Sequence, residues 1–168
     1  MKTEGDNKVK KRLNVYIILQ ILCVLIGGIS VFSIYLIDDF DESLYGLYSI
    51  IIALLFWISV LFEIVFSLLA FNCSKKMDKK YSIEEKTVGV ISFFKTKSGT
   101  VSDILLILSL VMLMLLFVFG ITKISLVISV LTVLYISFNL HCIFNGINYR
   151  VLLKMEEKNR EKNSKKRN

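Results

Sequence analysis

Residues 13–37 read LNVYIILQILCVLIGGISVFSIYLI, twenty-five residues without a charged side chain. At about 1.5 Å of rise per residue such a run crosses a hydrocarbon core of about 30 Å as one α-helix. A signal peptide carries a shorter apolar region and a small-residue cleavage site, whereas Asp38-Asp39-Phe40-Asp41-Glu42 follows this run. Residues 13–37 are therefore read as a membrane span.

Three further runs have the same character. Residues 44–71 carry one charge, Glu63, residues 104–121 are almost purely apolar, and residues 124–147 follow after the short Thr122-Lys123 turn. Joined as one helix, residues 104–147 would measure about 65 Å, twice the core thickness. Gly120 and Lys123 mark the break, and a tight helical hairpin is expected. The expected fold is an all-α integral membrane protein, a four-transmembrane-helix bundle built as two hairpins. It comprises a basic N-terminus (1–12), a membrane domain (13–147) with a loop at 74–103, and a basic tail (148–168).

Composition agrees with this reading. Of 168 residues 55% are hydrophobic, above the 45–50% usual for soluble domains, and the mean hydropathy is +0.65. The chain has no proline. Its many Lys, Asn and Ile residues suggest an AT-rich bacterial genome, an association only.

The charges orient the spans. Of the 21 Lys and Arg residues, five precede the first run, seven lie in 74–103 and eight follow from Arg150; Lys123 is the last. Positive charge stays on the cytoplasmic side. Both termini and the 74–103 segment are thus expected on the cytoplasmic side of the cytoplasmic membrane, with the acidic 38–42 loop and Lys123 outside. The net charge of +7 is explained by these flanks, which suit anionic headgroups at about 1 kcal/mol per cation near the surface. This argues against nucleic acid as the partner.

Between the spans, Ser82 and Glu85 fit a capping box. Val88–Phe94 followed by Lys95 and Lys97 suits either an interfacial segment or a loop packed on the helix ends. Ser102-Asp103 is expected at the N-cap of the third span, and the segment from Lys154 can extend the fourth helix.

Two ionisable side chains lie deep within the predicted spans, Glu63 and His141. Each stands nine residues before the end of its helix, at Asn72 and Arg150. Both helices run in the same direction, so a Glu63–His141 pair is geometrically possible. His141, Asn145 and Asn148 share one helix face, with Asn139 on the adjoining stripe, and Ser59, Glu63 and Ser67 recur every four residues. Three readings stay open: hydrogen-bonded glue within the bundle, a proton or ion path, and a groove for a lipid or partner helix. One His and one Glu are too few for a metal site. Cys23, Gly27 and Gly28 form a small-residue surface for close helix approach, within the chain or in a homo-oligomer. Cys23, Cys73 and Cys142 show no metal or redox spacing.

Signatures of hydrolases, zinc proteases, P-loops and dinucleotide-binding folds are missing from the sequence, and no cofactor or catalytic role is expected. The expected function is that of a non-catalytic accessory, immunity or assembly subunit acting by helix packing with a membrane partner. The alternative is a small oligomeric channel or transporter using Glu63 and His141.

Overall fold

The computed structural model describes residues 2–36, 42–81, 91–121 and 123–164. Five helices appear in chain order: α1 (Lys2–Leu36), α2 (Glu42–Tyr81), α3 (Lys97–Val118), α4 (Ile124–Asn145) and α5 (Ile147–Ser164). Four of them, α1 to α4, are long and apolar enough to cross a membrane. Among the described residues there is no strand. In lipid, a helix satisfies every backbone N–H and C=O within its own segment. The absence of proline leaves no interior amide missing.

The helices outrun the apolar stretches that define the spans. α1 begins at Lys2, ahead of residue 13, and α2 continues through Lys75–Lys80 to Tyr81. Lysine and methionine are good helix formers, so charge ends the apolar run without ending the helix. The 74–103 segment is accordingly helical at both ends. The acidic 38–41 residues, the Ser82–Glu85 capping box and Val88–Val90 lie outside the described residues.

α3 starts six residues earlier than Ser102-Asp103 implied. Its N-cap is Thr96 (φ −137°, ψ 158°), whose Oγ1 accepts the Gly99 amide at 2.9 Å. Ser102 donates instead to Gly99 O at 2.8 Å, and Asp103 sits inside the helix. At its far end α3 closes in a Schellman motif. Ile121 N donates to Leu116 O (2.9 Å) and Gly120 N to Phe117 O (3.2 Å), with Gly120 at φ +61°. That left-handed position explains the glycine and starts the tight hairpin into α4.

The packing does not close into a ring. α2 packs on α1, α1 on α4, and α4 on α3, while α2 and α3, the outer members, share no extended contact. The α1–α4 seam joins the two hairpins. A Cβ on Gly28 would lie 2.5 Å from Ile136 Cδ1, and one on Gly27 would lie 2.6 Å from the Tyr135 hydroxyl and 2.8 Å from Ser59 Oγ. These two glycines let α1 approach both neighbours closely.

α5 is a separate helix and not an extension of α4. The chain breaks at Gly146 (φ −66°, ψ 156°). α5 then lies against α1 and α2, where Val151, Leu152 and Met155 join Leu13, Ile17 and Ala70 in a buried apolar cluster. The charge-rich tail had concealed this face. A Lys10–Glu156 ion pair at 3.4 Å, part-exposed, adds little, as surface pairs contribute about 0–1 kcal/mol.

Candidate functional site

A buried polar cluster joins α3 to α4. His141 and Asn145, four residues apart on the last turns of α4, face Asp103 on the second turn of α3; all three side chains are fully buried. Asp103 is the hub. Its Oδ1 meets His141 Nδ1 in a short contact and accepts Asn145 Nδ2 at 2.8 Å, while Oδ2 accepts the Phe94 amide at 2.5 Å. Asn145 Oδ1 accepts the Lys95 amide at 3.0 Å. This orientation of the Asn145 amide satisfies both its ends at once, whereas the flipped one would face donor to donor. Asn145 Nδ2 also lies 3.2 Å from His141 Nδ1.

The cluster holds more than a pair of helices. Through the Phe94 and Lys95 amides it fastens the segment 91–96 onto the end of the α3–α4 hairpin away from its turn. Thr96 Oγ1 adds a bond to Phe144 O at 3.0 Å, Ser98 and Tyr149 join their hydroxyls at 3.1 Å, and the Phe93 ring lies over His141 with centroids 4.4 Å apart. Phe94 takes φ +56°. A bulky side chain there costs roughly 1–3 kcal/mol, which the bond from Phe94 N–H to a buried carboxylate offsets. The arrangement is a clasp in which buried polar groups find partners among themselves.

Gly99 is a condition of the clasp. A Cβ at that position would lie 2.1 Å from Asn145 Oδ1. Gly99→Ala is expected to push the Asn145 amide away and cost about 1–3 kcal/mol, as overpacking does. Faster exchange of the Lys95 amide in hydrogen-exchange mass spectrometry is the measurement.

Glu63 and His141 are not brought together. Among the described residues no hydrogen bond or ion pair joins them. Equal depth was the argument for pairing, but depth leaves the side of the helix open. His141 and Asn145 look toward α3, whereas Cys142, the next residue of α4, is the one on the side of Glu63. Glu63 instead lines a small cavity with Gln20, Ser67, Cys142 and Asn148.

The remaining residues singled out in the sequence have other places. Asn148 accepts the Ser74 hydroxyl at 2.6 Å, and Asn139 donates to Tyr135 O of its own helix at 2.9 Å. Ser59 donates to Phe56 O at 2.7 Å beside Gly27, Ser67 lines the Glu63 cavity, and Cys23 is buried on α1.

Asp103 is the residue the sequence reading passed over as a site. A register count would have found it. Asp103 precedes Thr122 by 19 residues and His141 follows it by 19; Gly99 and Asn145 are each 23 away. In an antiparallel helical hairpin, residues equidistant from the turn lie opposite one another.

Among the described residues no group of three or more His, Cys, Asp or Glu side chains is placed to hold a metal ion. Comparison with known protein families, characterised proteins and solved structures finds no match to this chain.

Proposed function

We propose that this chain is a non-catalytic, multi-pass component of a bacterial cytoplasmic membrane that works by packing α2 against the helix of a different membrane protein. Both termini lie on the cytoplasmic side in this reading, with the basic flanks at anionic headgroups. The Asp103–His141–Asn145 clasp has a structural task, fixing the cytoplasmic end of the α3–α4 hairpin.

Trp57 carries the proposal. It stands at the middle of the apolar stretch 44–71, touches the Phe56 ring edge-on and is 62% exposed. Tryptophan favours the membrane interface, where its N–H is wet. At mid-span the indole N–H meets hydrocarbon, and among the described residues it has no hydrogen-bond partner. A partner helix supplying an acceptor removes that cost. The neighbours along the same line, Ile50, Leu54, Leu61, Ile64 and Leu68, are 53–61% exposed. Their spacing of three and four residues follows the seam of helices that pack at a small left-handed angle.

The test is a photoreactive amino acid at position 57, activated in living cells, with Val111 on α3 as the comparison site. The expected result is one protein adduct of fixed mass from position 57 and lipid adducts from Val111. Lipid adducts alone at position 57 contradict the proposal. An adduct of twice the 19.3 kDa chain mass replaces the different partner by a second copy.

A further inference from the structure

The clasp uses two of its acceptors on main-chain amides, and the depth of those amides gives a reason. Asp103 directly precedes Ile104, where the apolar run of α3 begins. His141 stands six residues before Ile147, the end of the apolar run of α4, so it lies about 9 Å inside that run at helical rise. Phe94 N donates to Asp103 Oδ2 at 2.5 Å, Lys95 N donates to Asn145 Oδ1 at 3.0 Å, and the Phe93 ring is centred 4.4 Å from that of His141. The chain ahead of Thr96 therefore does not lead straight away from α3 into water. It folds back beside the helix ends to the depth where the hydrocarbon starts.

The side chains of this segment divide at that depth. Ser92 and Thr96 are buried, whereas Ile91, Phe93 and Phe94 are 70%, 42% and 55% exposed. Left in water, such apolar surface costs about 25 cal/mol per Å²; at the level of Ile104 it meets acyl chains instead. Irregular backbone at membrane depth is tolerated only where its polar groups are satisfied within the protein. Asp103 and Asn145 satisfy the Phe94 and Lys95 amides. Lys97 follows and is exposed, and a lysine stem is long enough to carry its charge to the headgroups.

We propose that residues 91–94 form a re-entrant apolar wedge that binds the acyl chains of one leaflet, held there by the clasp. The wedge shares with the partner-binding reading of α2 only the membrane placement of the spans, and it holds whichever side of the membrane the termini occupy.

Fluorescence in nanodiscs, which leave both membrane faces open to solutes, tests it, because the chain has a single tryptophan, Trp57. The unmodified protein supplies the reference for the spans: Trp57 is expected to be quenched by phosphatidylcholine brominated on its acyl chains and not by aqueous iodide. In Trp57→Phe combined with Phe94→Trp, the lone indole is expected to be quenched several-fold more by the brominated lipid than by iodide. Should that variant fail to fold, Ile91→Trp in the same background is the second arm, with the same expected result. Iodide quenching that exceeds bromine quenching overturns the proposal, and with Trp57 still quenched by bromine it leaves the membrane placement of the spans standing. Adding Asn145→Ala, which removes the acceptor of the Lys95 amide, is expected to raise iodide quenching several-fold. No change there overturns the part of the clasp in holding the wedge.

Discussion

Asp103→Ala is expected to destabilise the protein by about 3–5 kcal/mol, the cost of stranding several buried hydrogen-bonding groups at about 1–3 kcal/mol each, and to lower Tm by roughly 10 °C. The size follows from what is stranded. His141 Nδ1, Asn145 Nδ2 and the Phe94 amide all lose the acceptor they share, and each sits where water does not easily replace it. The strained φ of Phe94 then has no compensating bond. Asp103→Asn keeps an acceptor for one of the three and is expected to lose less. The double change Asp103→Leu with His141→Leu separates two accounts of the cluster. If it were only an ion pair between helices, removing both partners would recover most of the loss, since apolar replacement of buried pairs is often neutral. If it is a clasp on the 91–96 segment, the double variant stays destabilised because the Phe94 amide is still orphaned. Chemical denaturation in detergent, with hydrogen exchange at Phe94 and Lys95, reads both quantities.

Val151→Asp is expected to release α5 from the bundle. Val151 is fully buried in the cluster that joins α5 to Leu13 and Ile17 of α1 and to Ala70 of α2. Burying an isolated carboxylate costs more than the docking returns. Burial of Val151, Leu152 and Met155 contributes about 1.5–3 kcal/mol per side chain, and an unpaired charge among them cancels this. Limited proteolysis is the measurement: cleavage within 147–164 is expected to accelerate at least tenfold while the α1–α4 region stays resistant. Val151→Ala, which only leaves a small cavity, is expected to accelerate it far less. Unchanged cleavage in Val151→Asp would show that α5 is held by contacts other than its apolar face.

The fold and the site were legible to different extents. Length and hydropathy placed the four spans, because a run of more than twenty apolar residues such as 13–37 has few alternatives to a transmembrane helix. The α3–α4 hairpin was legible from Gly120, whose left-handed backbone closes α3. Helix ends were less so. Hydropathy reports where the membrane stops, and α2 runs on past that point through a lysine cluster. The docking of α5 was hidden because its apolar residues, Val151, Leu152 and Met155, are spaced through a charged tail and cover only one face. At the site, His141 and Asn145 stood out as polar groups in an apolar run. Asp103 did not, since it occupies the edge of its run and resembles a cap. Pairing Glu63 with His141 used depth alone. Facing is decided by which helices are neighbours, and the order α2–α1–α4–α3 is a property of packing that the linear pattern does not carry.

The reading of α2 as a partner-binding helix and of the clasp as the cytoplasmic end of its hairpin rests on four crossings with both ends on the cytoplasmic side. Labelling of single cysteines by a membrane-impermeant maleimide tests this most directly, with the three native cysteines replaced by serine or alanine. Lys8→Cys and Ser164→Cys are expected to react only after the membrane is permeabilised, and Lys123→Cys in intact cells. Reaction of Lys8→Cys or Ser164→Cys in intact cells, or protection of Lys123→Cys there, would contradict the account.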